Sequence, residues 1–535
     1  MAEEVNFNLG IDFGTSYTKV CIQGDDDLET SDVINFGGEF PNEGMLPSEV
    51  YRYGTNDIVS TTYPNSTNSK GSYYRGIKVL LKRKAQEEID KIAELKFSLE
   101  EIENICAYYL ANVIATAKKT FENTKECKKR LKGKSPKWTA NIGVPVEYYD
   151  SPIIAYFHRV LHLALQLEQK NLEKLDEIPY SELEEHLREI RSAYKEKFEM
   201  EKHLEEFSKK EELKQHVDKL LDRNDKYNTV LPELESIVRP FREKPKGITE
   251  GIYFFFDIGG GTVDGTACYL RPSDRDLVPV FYHSTVKENG VDTLDCSREL
   301  VFSRKLVDQI NQVEDNLPKA LIKDYRTNSS GEQRELPGLP YPESRGSKAA
   351  IEERVKSKQN KEDETILKIM LVKLQLQQQL GEVIMRTKES NPDLFPKEKP
   401  KPEERLKLII FGGGSASPFY KKTLPETYCT FKQYRAWIPE YGQELNKDGE
   451  IEKGDEEKYK IELLFNFSAL NMNGLSNKYF NRYVIAYGLS YPRGSKSTRG
   501  SAVLSRSYYD SKEENRIEND RDRREEANIG LGRLS

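Results

Sequence analysis

The sequence lacks the features that would place the protein in a membrane. No window approaches the run of about 18 apolar residues that suggests a transmembrane helix. The most apolar short run, Ile252–Phe256, ends at an aspartate. The amino-terminal segment has no basic region followed by an apolar stretch, so it does not resemble a signal peptide. We therefore expect a cytoplasmic protein without a membrane partner.

Paired cysteines and an excess of basic residues are also missing. The six cysteines, at positions 21, 106, 127, 268, 296 and 429, form no C-x-x-C pair, and the six histidines form no H-E-x-x-H pattern. Neither a zinc site nor a disulfide framework is therefore predicted, and free thiols are typical of a reducing compartment. The formal net charge of -7 argues against general nucleic-acid binding.

Strand-like and helical patterns alternate along the chain, which predicts an α/β fold. The block 166–228 differs: it contains no glycine, and its apolar residues recur every three or four positions. We expect amphipathic helices there, either as an ordinary solvated face or as an arm that docks a partner. The expected division is a first lobe at 1–165, the inserted helical arm at 166–228, a connecting segment at 229–250, a second lobe at 251–427, an insertion at 428–472, a closing helix at 473–490 and a disordered tail at 491–535.

Three glycine turns, each after a strand-like run, carry the functional signal. They are GIDFGTS at 10–16, DIGGGTVD at 257–264 and FGGGSASP at 411–418. Glycine lets the backbone turn tightly and brings its N–H groups within reach of a phosphate. One such turn is more often structural than catalytic, but an ordered set of three is much more specific.

Acidic residues flank the first two turns. Asp12, Asp257 and Asp264 would repel a phosphate, so their useful role is to hold Mg²⁺, directly or through water, or to orient an attacking water. Two such hairpins facing each other would grip a phosphate chain from both sides. The third turn has no acid and suits a nucleoside better.

Two other nucleotide-binding motifs do not fit. A dinucleotide fingerprint needs G-x-G-x-x-G, and Gly259, Gly261 and Gly265 have the wrong spacing. A P-loop needs a glycine at the position that Lys128 occupies before the Gly133–Ser135 triplet.

The three turns resemble the two phosphate motifs and the adenosine motif of the actin, sugar-kinase and heat-shock-seventy ATPase superfamily. The closest resemblance is to the nucleotide-binding domain of DnaK-type chaperones, and it extends to LPSEV at 46–50, IKVL at 77–80, NIGVPV at 141–146, LPELES at 231–236, the segment 289–295 and AYG at 486–488. It implies two actin-like α/β lobes, built as duplicated ribonuclease-H-like domains around one cleft that binds ATP or ADP with Mg²⁺.

The resemblance also implies roles for single residues. Asp12 and Asp257 would hold the metal, Asp264 and Glu233 would position the metal or the hydrolytic water, and Lys78 would be the catalytic lysine. Lys78 could instead be a solvated helix residue, and Glu235 competes with Glu233. Phosphate contacts are expected from Gly14, Thr15, Ser16, Gly259, Gly260, Gly261 and Thr262, and nucleoside contacts from Gly412, Gly413, Gly414 and Ser415.

The chain also departs from the chaperones. No β-rich peptide-binding region follows residue 490, and the adenine-gripping helix has only a candidate at 351–356. We therefore expect a slowly hydrolysing Mg-ATPase that acts as a nucleotide-dependent conformational switch or chaperone-like protein, read by a protein partner or client through the inserted helices. The alternatives are an actin-like filament former, a small-molecule kinase and a nucleotide-binding protein without hydrolysis.

Overall fold

The computed structural model describes residues 4–194, 228–237, 250–291, 372–391, 406–424, 434–438, 443–445 and 470–491, with short gaps inside some of these ranges. Several sequence predictions lie outside the described residues. They are the part of the inserted helical arm at 195–227, the candidate adenine helix at 351–356, most of the insertion at 428–472, the tail after residue 491, and the cysteines at 296 and 429.

The described residues form a mixed α/β structure. Its strands are β1 (Glu4–Phe13), β2 (Tyr17–Gly24), β3 (Asp27–Val33), β4 (Leu46–Pro47), β5 (Glu49–Tyr53), β6 (Ile58–Ser60), β7 (Gly71–Arg75), β8 (Ser135–Val144), β9 (Glu177–Pro179), β10 (Asn228–Pro232), β11 (Gly251–Ile258), β12 (Val263–Ser273), β13 (Asp276–Lys287), β14 (Leu406–Phe411), β15 (Tyr434–Ile438), β16 (Gln443–Leu445) and β17 (Leu470–Asn471). Its helices are α1 (Ile77–Asp90), α2 (Leu99–Glu122), α3 (Lys125–Leu131), α4 (Val146–Tyr149), α5 (Ile153–Gln169), α6 (Tyr180–Ala193) and α7 (Phe480–Ser490), with a 3₁₀ turn at Gly413–Ala416. Residues 375–384 are helical as well.

Two of the sheets repeat one arrangement. The first has the strand order β10-β8-β1-β2-β3, with β17 at its edge, and the second has the order β15-β14-β11-β12-β13, with β16 at its edge. In each, the central strand β1 or β11 forms an antiparallel hairpin with the next strand, and its other neighbours run parallel to it. The carboxyl ends of the parallel strands therefore meet at one edge of each sheet, which is where α/β proteins place their ligands.

The first sheet is covered by helices whose ends and apolar faces follow from the sequence. Ser98 caps α2 by accepting a hydrogen bond from the backbone N–H of Glu101 at 3.0 Å. The helix then buries Ile105, Leu110 and Ile114 in the main core. None of the described helices has the length and apolar character needed to cross a bilayer.

The block 166–228 was expected to be helical, and its described part contains a strand as well as a helix. Strand β9 pairs with β6 at the edge of a small sheet with the order β7-β5-β6-β9. Helix α6 follows and buries Leu183, Leu187 and Ile190 in the main core. The apolar face of α6 therefore packs against the core of this fold.

The closing helix α7 packs onto the first sheet near the chain's last described residue. The side-chain amide of Asn8 donates to the carbonyl oxygens of Leu489 and Ser490 at 3.0 and 2.8 Å, and Asn141 donates to Leu489 at 2.8 Å. These bonds satisfy carbonyls that a helix end leaves without partners. Gly488 lets the helix approach closely, because a Cβ atom there would lie 1.6 Å from the carbonyl oxygen of Ser236.

The four described cysteines, at positions 21, 106, 127 and 268, are free and buried. They are not bridged to one another, as their spacing predicts. Burial raises the pKa of the Cys21 and Cys106 thiols, so both stay protonated and unreactive.

Candidate functional site

Two hairpins in equivalent places carry the predicted acids. Asp12 lies near the end of β1 and pairs in register with Lys19 on β2, while Asp257 lies near the end of β11 and pairs in register with Asp264 on β12. Side chains opposite each other across an antiparallel pair point to the same face. Each hairpin therefore presents two charged groups side by side.

The turns of the two hairpins touch each other. A Cβ atom on Gly261 would lie 2.5 Å from Thr15 Cγ2, so a larger residue at this position would push the turns apart. The backbone N–H of Gly290 donates to the carbonyl of Gly261 at 3.3 Å and holds the second turn from behind. Ser48 Oγ donates to the carbonyl of Gly14 at 2.7 Å and braces the first turn. The two predicted phosphate motifs thus lie next to each other.

The third glycine turn reaches the same place because β14 runs parallel to β11 and pairs Phe411 with Asp257. Gly412 has a positive φ of 87°, and a Cβ atom there would lie 2.0 Å from Asp257 Oδ1. Ser415 Oγ donates to the carbonyl of Gly412 at 2.7 Å and closes the turn. A Cβ atom on Gly413 would meet nothing within 4 Å, so this glycine faces open space.

Three carboxylates converge between the sheets. Glu233 follows the end of β10, and one oxygen each from Glu233, Asp257 and Asp264 lie within 4.8 Å of one another. Gly143 on β8 makes room for the glutamate, since a Cβ atom there would lie 2.8 Å from Glu233 Cγ. Hard divalent cations prefer clusters of carboxylate oxygens, so this donor set fits Mg²⁺.

Two lysines accompany the carboxylates, Lys78 buried and Lys19 partly buried. Lys78 Nζ, on α1, donates to Glu233 Oε1 at 2.5 Å, and both side chains are less than a tenth exposed. Lys19 Nζ donates to Asp12 Oδ2 at 2.8 Å. Lys78 is therefore not a solvated helix residue, which was the alternative interpretation of its position.

Burial and an excess of negative charge shift the proton affinities of the cluster. Burial, Glu233 and Asp12 raise the pKa of Asp257 to about 8, against the opposing effect of Lys19 and Lys78. Burial also raises the pKa of Glu233, although Lys78 opposes the shift. Burial alone would lower the pKa of Lys78, but Glu233 and Asp12 outweigh it and raise this pKa. All three shifts fit a site that has more negative than positive charge.

The structure brings together the acids Asp12, Glu233, Asp257 and Asp264, the lysine Lys78, and the three predicted glycine turns. Asp12 and Asp257 were expected to hold the metal, whereas the group of three close carboxylates contains Glu233, Asp257 and Asp264 and leaves out Asp12. Glu235, the competitor of Glu233, lies outside the described residues.

Sequence reasoning missed Lys19, which forms an ion pair with Asp12. Its signal was available, because Lys19 follows Asp12 by the same seven residues that separate Asp264 from Asp257. In a hairpin with a short turn, that spacing puts the two residues opposite each other. No protein-family model matches the chain, and no curated protein matches it.

Proposed function

We propose that the protein is a Mg²⁺-dependent ATPase of the actin, sugar-kinase and heat-shock-seventy superfamily, close to the nucleotide-binding domain of DnaK-type chaperones. In this proposal it hydrolyses ATP slowly in the cytoplasm and works as a nucleotide-dependent switch. The observation that carries the proposal is the meeting of three glycine turns with four carboxylates and two lysines in one place. Each of these parts suits a different portion of a metal–nucleotide complex.

The proposed fold is a pair of actin-like lobes, each built like ribonuclease H. It is supported by the repeated strand order, in which a hairpin of two antiparallel strands joins two parallel neighbours in both sheets. It is also supported by the position of the glycine turns at corresponding hairpins. Helix α7, which returns from the end of the chain to the first sheet, fits a closing element between two lobes.

The backbone of the first two turns would bind the phosphates. Their N–H groups, with the hydroxyls of Thr15, Ser16 and Thr262, supply donors of the kind that anions need. The glycines at 14 and 259–261 allow the chain to approach without side chains in the way. Gly412, Gly413, Gly414 and Ser415 would border the nucleoside, because their turn lies beside Asp257.

Glu233, Asp257 and Asp264 would hold Mg²⁺, directly or through water. A divalent ion held by these residues would supply positive charge to neutralise the phosphates. Lys78 holds the Glu233 carboxylate through a buried ion pair, which keeps one oxygen in a fixed position. An ionised acid of this group, with Asp264 as our candidate, would orient the attacking water.

A protein partner that reads the nucleotide state belongs to the proposal. Strand β9 and the apolar face of α6 pack within the fold. A partner docking on the inserted block would therefore use the polar face of α6 or residues 195–227.

The test is to measure nucleotide binding and phosphate release with purified protein. We expect Mg²⁺-dependent binding of ATP and ADP, slow phosphate release without any added sugar, and loss of both in Asp257→Asn. Glu168→Gln, which alters an acid paired with Lys118 on the far helices, is the control and should behave as wild type. Absence of Mg²⁺-dependent nucleotide binding in the wild type would refute the proposal.

The same measurements separate the alternatives that share this fold. Phosphate transfer that requires an added small hydroxyl compound would favour a kinase, and sedimentation that depends on ATP would favour a filament. Binding without phosphate release would indicate a nucleotide sensor without hydrolysis.

A further inference from the structure

The two hairpins differ at one position that determines their charge. Asp257 faces Asp264, so the second hairpin presents two carboxylates, whereas Asp12 faces Lys19, so the first presents an ion pair. Both pairs are fixed by strand register, which a side-chain rotation cannot change. The first hairpin therefore carries a positively charged side chain opposite its aspartate, and the second does not.

The ion pair between Lys19 and Asp12 is nearly closed off from water. Lys19 Nζ lies 2.8 Å from Asp12 Oδ2, and the two side chains are 13% and 6% exposed. The ammonium also lies near the first turn, because a Cβ atom on Gly14 would be 3.5 Å from Lys19 Nζ. A buried carboxylate needs such a partner, since leaving it unpaired costs far more than pairing it.

Asp12 is close to the other acids although it stays out of their group. Its hairpin contacts the hairpin of Asp257 at the turns, where a Cβ atom on Gly261 would lie 2.5 Å from Thr15 Cγ2. Among the described residues, Glu233, Asp257 and Asp264 form a group of three acids whose oxygens lie within 4.8 Å of one another. Asp12 is not in that group, and its Oδ2 accepts a hydrogen bond from the Lys19 ammonium.

We propose that Lys19 is a built-in counterion that competes with a divalent cation for Asp12. In the cation-free protein it occupies this carboxylate, keeps it neutralised, and limits the cation to Glu233, Asp257 and Asp264. The inference rests on the proposed function, because it concerns the same metal site. It adds a residue that sets the affinity and the ligand set of that site.

Competition predicts that removal of Lys19 tightens cation binding. Without the Lys19 ammonium, the Asp12 carboxylate is unpaired and can turn towards the divalent cation. The divalent cation is also no longer repelled by the positive charge of Lys19. We expect Lys19→Met to bind Mn²⁺ or Mg²⁺ about tenfold more tightly without nucleotide, measured by titration calorimetry. The cation-free melting temperature should fall, and the rise on adding Mn²⁺ should exceed that of the wild type.

Matched variants isolate the effect. Lys19→Arg keeps the charge and should bind the cation like the wild type. Lys118→Met removes another lysine from a part-buried pair, 2.6 Å from Glu168, and should leave cation binding unchanged. Lys19→Gln is a polar replacement that keeps the experiment interpretable if Lys19→Met does not fold.

A double-mutant cycle separates competition from a simple change in net charge. If charges merely add, Asp12→Asn weakens Mn²⁺ binding by the same factor with Lys19 or with Met at position 19. Competition requires a larger loss in the Lys19→Met background, since Asp12 binds the cation only there. Equal losses, or unchanged or weaker binding by Lys19→Met, would overturn the role of Lys19 while leaving the metal site intact. A wild type and a Lys19→Met protein that both bind no cation would overturn the metal site itself.

Discussion

The hairpins β1–β2 and β11–β12 share a scaffold and differ in charge. Both place an aspartate near the end of the central strand and a charged residue seven positions later, across the strand pair. In the first hairpin that residue is Lys19, and in the second it is Asp264. The same backbone arrangement therefore carries two different charge patterns. Strand register fixes the positions of the facing residues, and the residue opposite the aspartate determines whether the pair holds a positive charge.

The turns of the two hairpins differ in bulk as well. The first contains Thr15 and Ser16 after one glycine, and the second contains three successive glycines. The glycine at 261 is needed because Thr15 occupies the space that its side chain would fill. The absence of a side chain at Gly261 thus lets the two turns pack against each other.

The sharpest test of the comparison is to neutralise the equivalent acids separately. Asp257→Asn removes a member of the three-carboxylate group, whereas Asp12→Asn removes an acid already paired with a lysine. We expect Asp257→Asn to lower phosphate release by about a hundredfold or more, as loss of one preorganised group does. Asp12→Asn should weaken Mg²⁺ binding less than Asp257→Asn does in a titration of the nucleotide-free protein. A larger loss of Mg²⁺ binding in Asp12→Asn than in Asp257→Asn would contradict the assignment of Asp257, rather than Asp12, to the metal site.

A pH dependence of stability should come from the second hairpin. Asp257 has an ordinary pKa of 3.8 and a pKa of about 8 in the folded protein. Between these values the folded state keeps a proton that the unfolded state has lost, so the free energy of unfolding falls as pH rises. We expect a slope of about 1.4 kcal/mol per pH unit from this group between pH 4 and 8, measured by urea unfolding without divalent ions.

Asp257→Asn is the control for that slope. It should flatten the slope, because an amide does not titrate, and saturating Mg²⁺ should flatten it in the wild type by binding the ionised form. A wild type whose stability rises steadily from pH 4 to 8, with or without Mg²⁺, would contradict the burial of this carboxyl.

The contact between the turns can be tested with a paired substitution. Gly261→Ala places a methyl group 2.5 Å from Thr15 Cγ2, and such overpacking costs about 1 to 3 kcal/mol. Thr15→Ser removes the Cγ2 atom and keeps the hydroxyl. The double variant should therefore recover stability and nucleotide affinity that Gly261→Ala loses. Equal stability of the Gly261→Ala variant and the wild type would mean that the turns do not touch.

The sequence predicted those parts of the fold that depend on local pattern. The helix Phe480–Ser490 lies inside the segment 473–490, where the closing helix was expected. Glycine turns and apolar periodicity are local signals, so they can be recognised without a partner strand. The three predicted turns also lie beside the acids that the structure brings together.

The parts that were missed depend on distant partners. Strand β9 has three residues inside a block with helical periodicity, and its pairing with β6 provides its strand character. The importance of Lys19 comes from a cross-strand register that composition does not reveal. The ion pair between Arg83 and Glu288, more than two hundred residues apart, depends on the approach of α1 to the residues after β13.

The ion pair of Arg83 and Glu288 should contribute least, although it bridges the parts that carry the two hairpins. Arg83 Nε donates to Glu288 Oε1 at 3.0 Å, with both side chains about half exposed. Exposed pairs contribute about 0 to 1 kcal/mol, so Arg83→Ala should speed release of a fluorescent nucleotide by no more than about fivefold. Exchanging the charges with Arg83→Glu and Glu288→Arg together should restore the wild-type rate. A hundredfold faster release of the nucleotide in Arg83→Ala would mean that this exposed ion pair, rather than the buried groups between Asp12 and Asp257, holds the hairpins together.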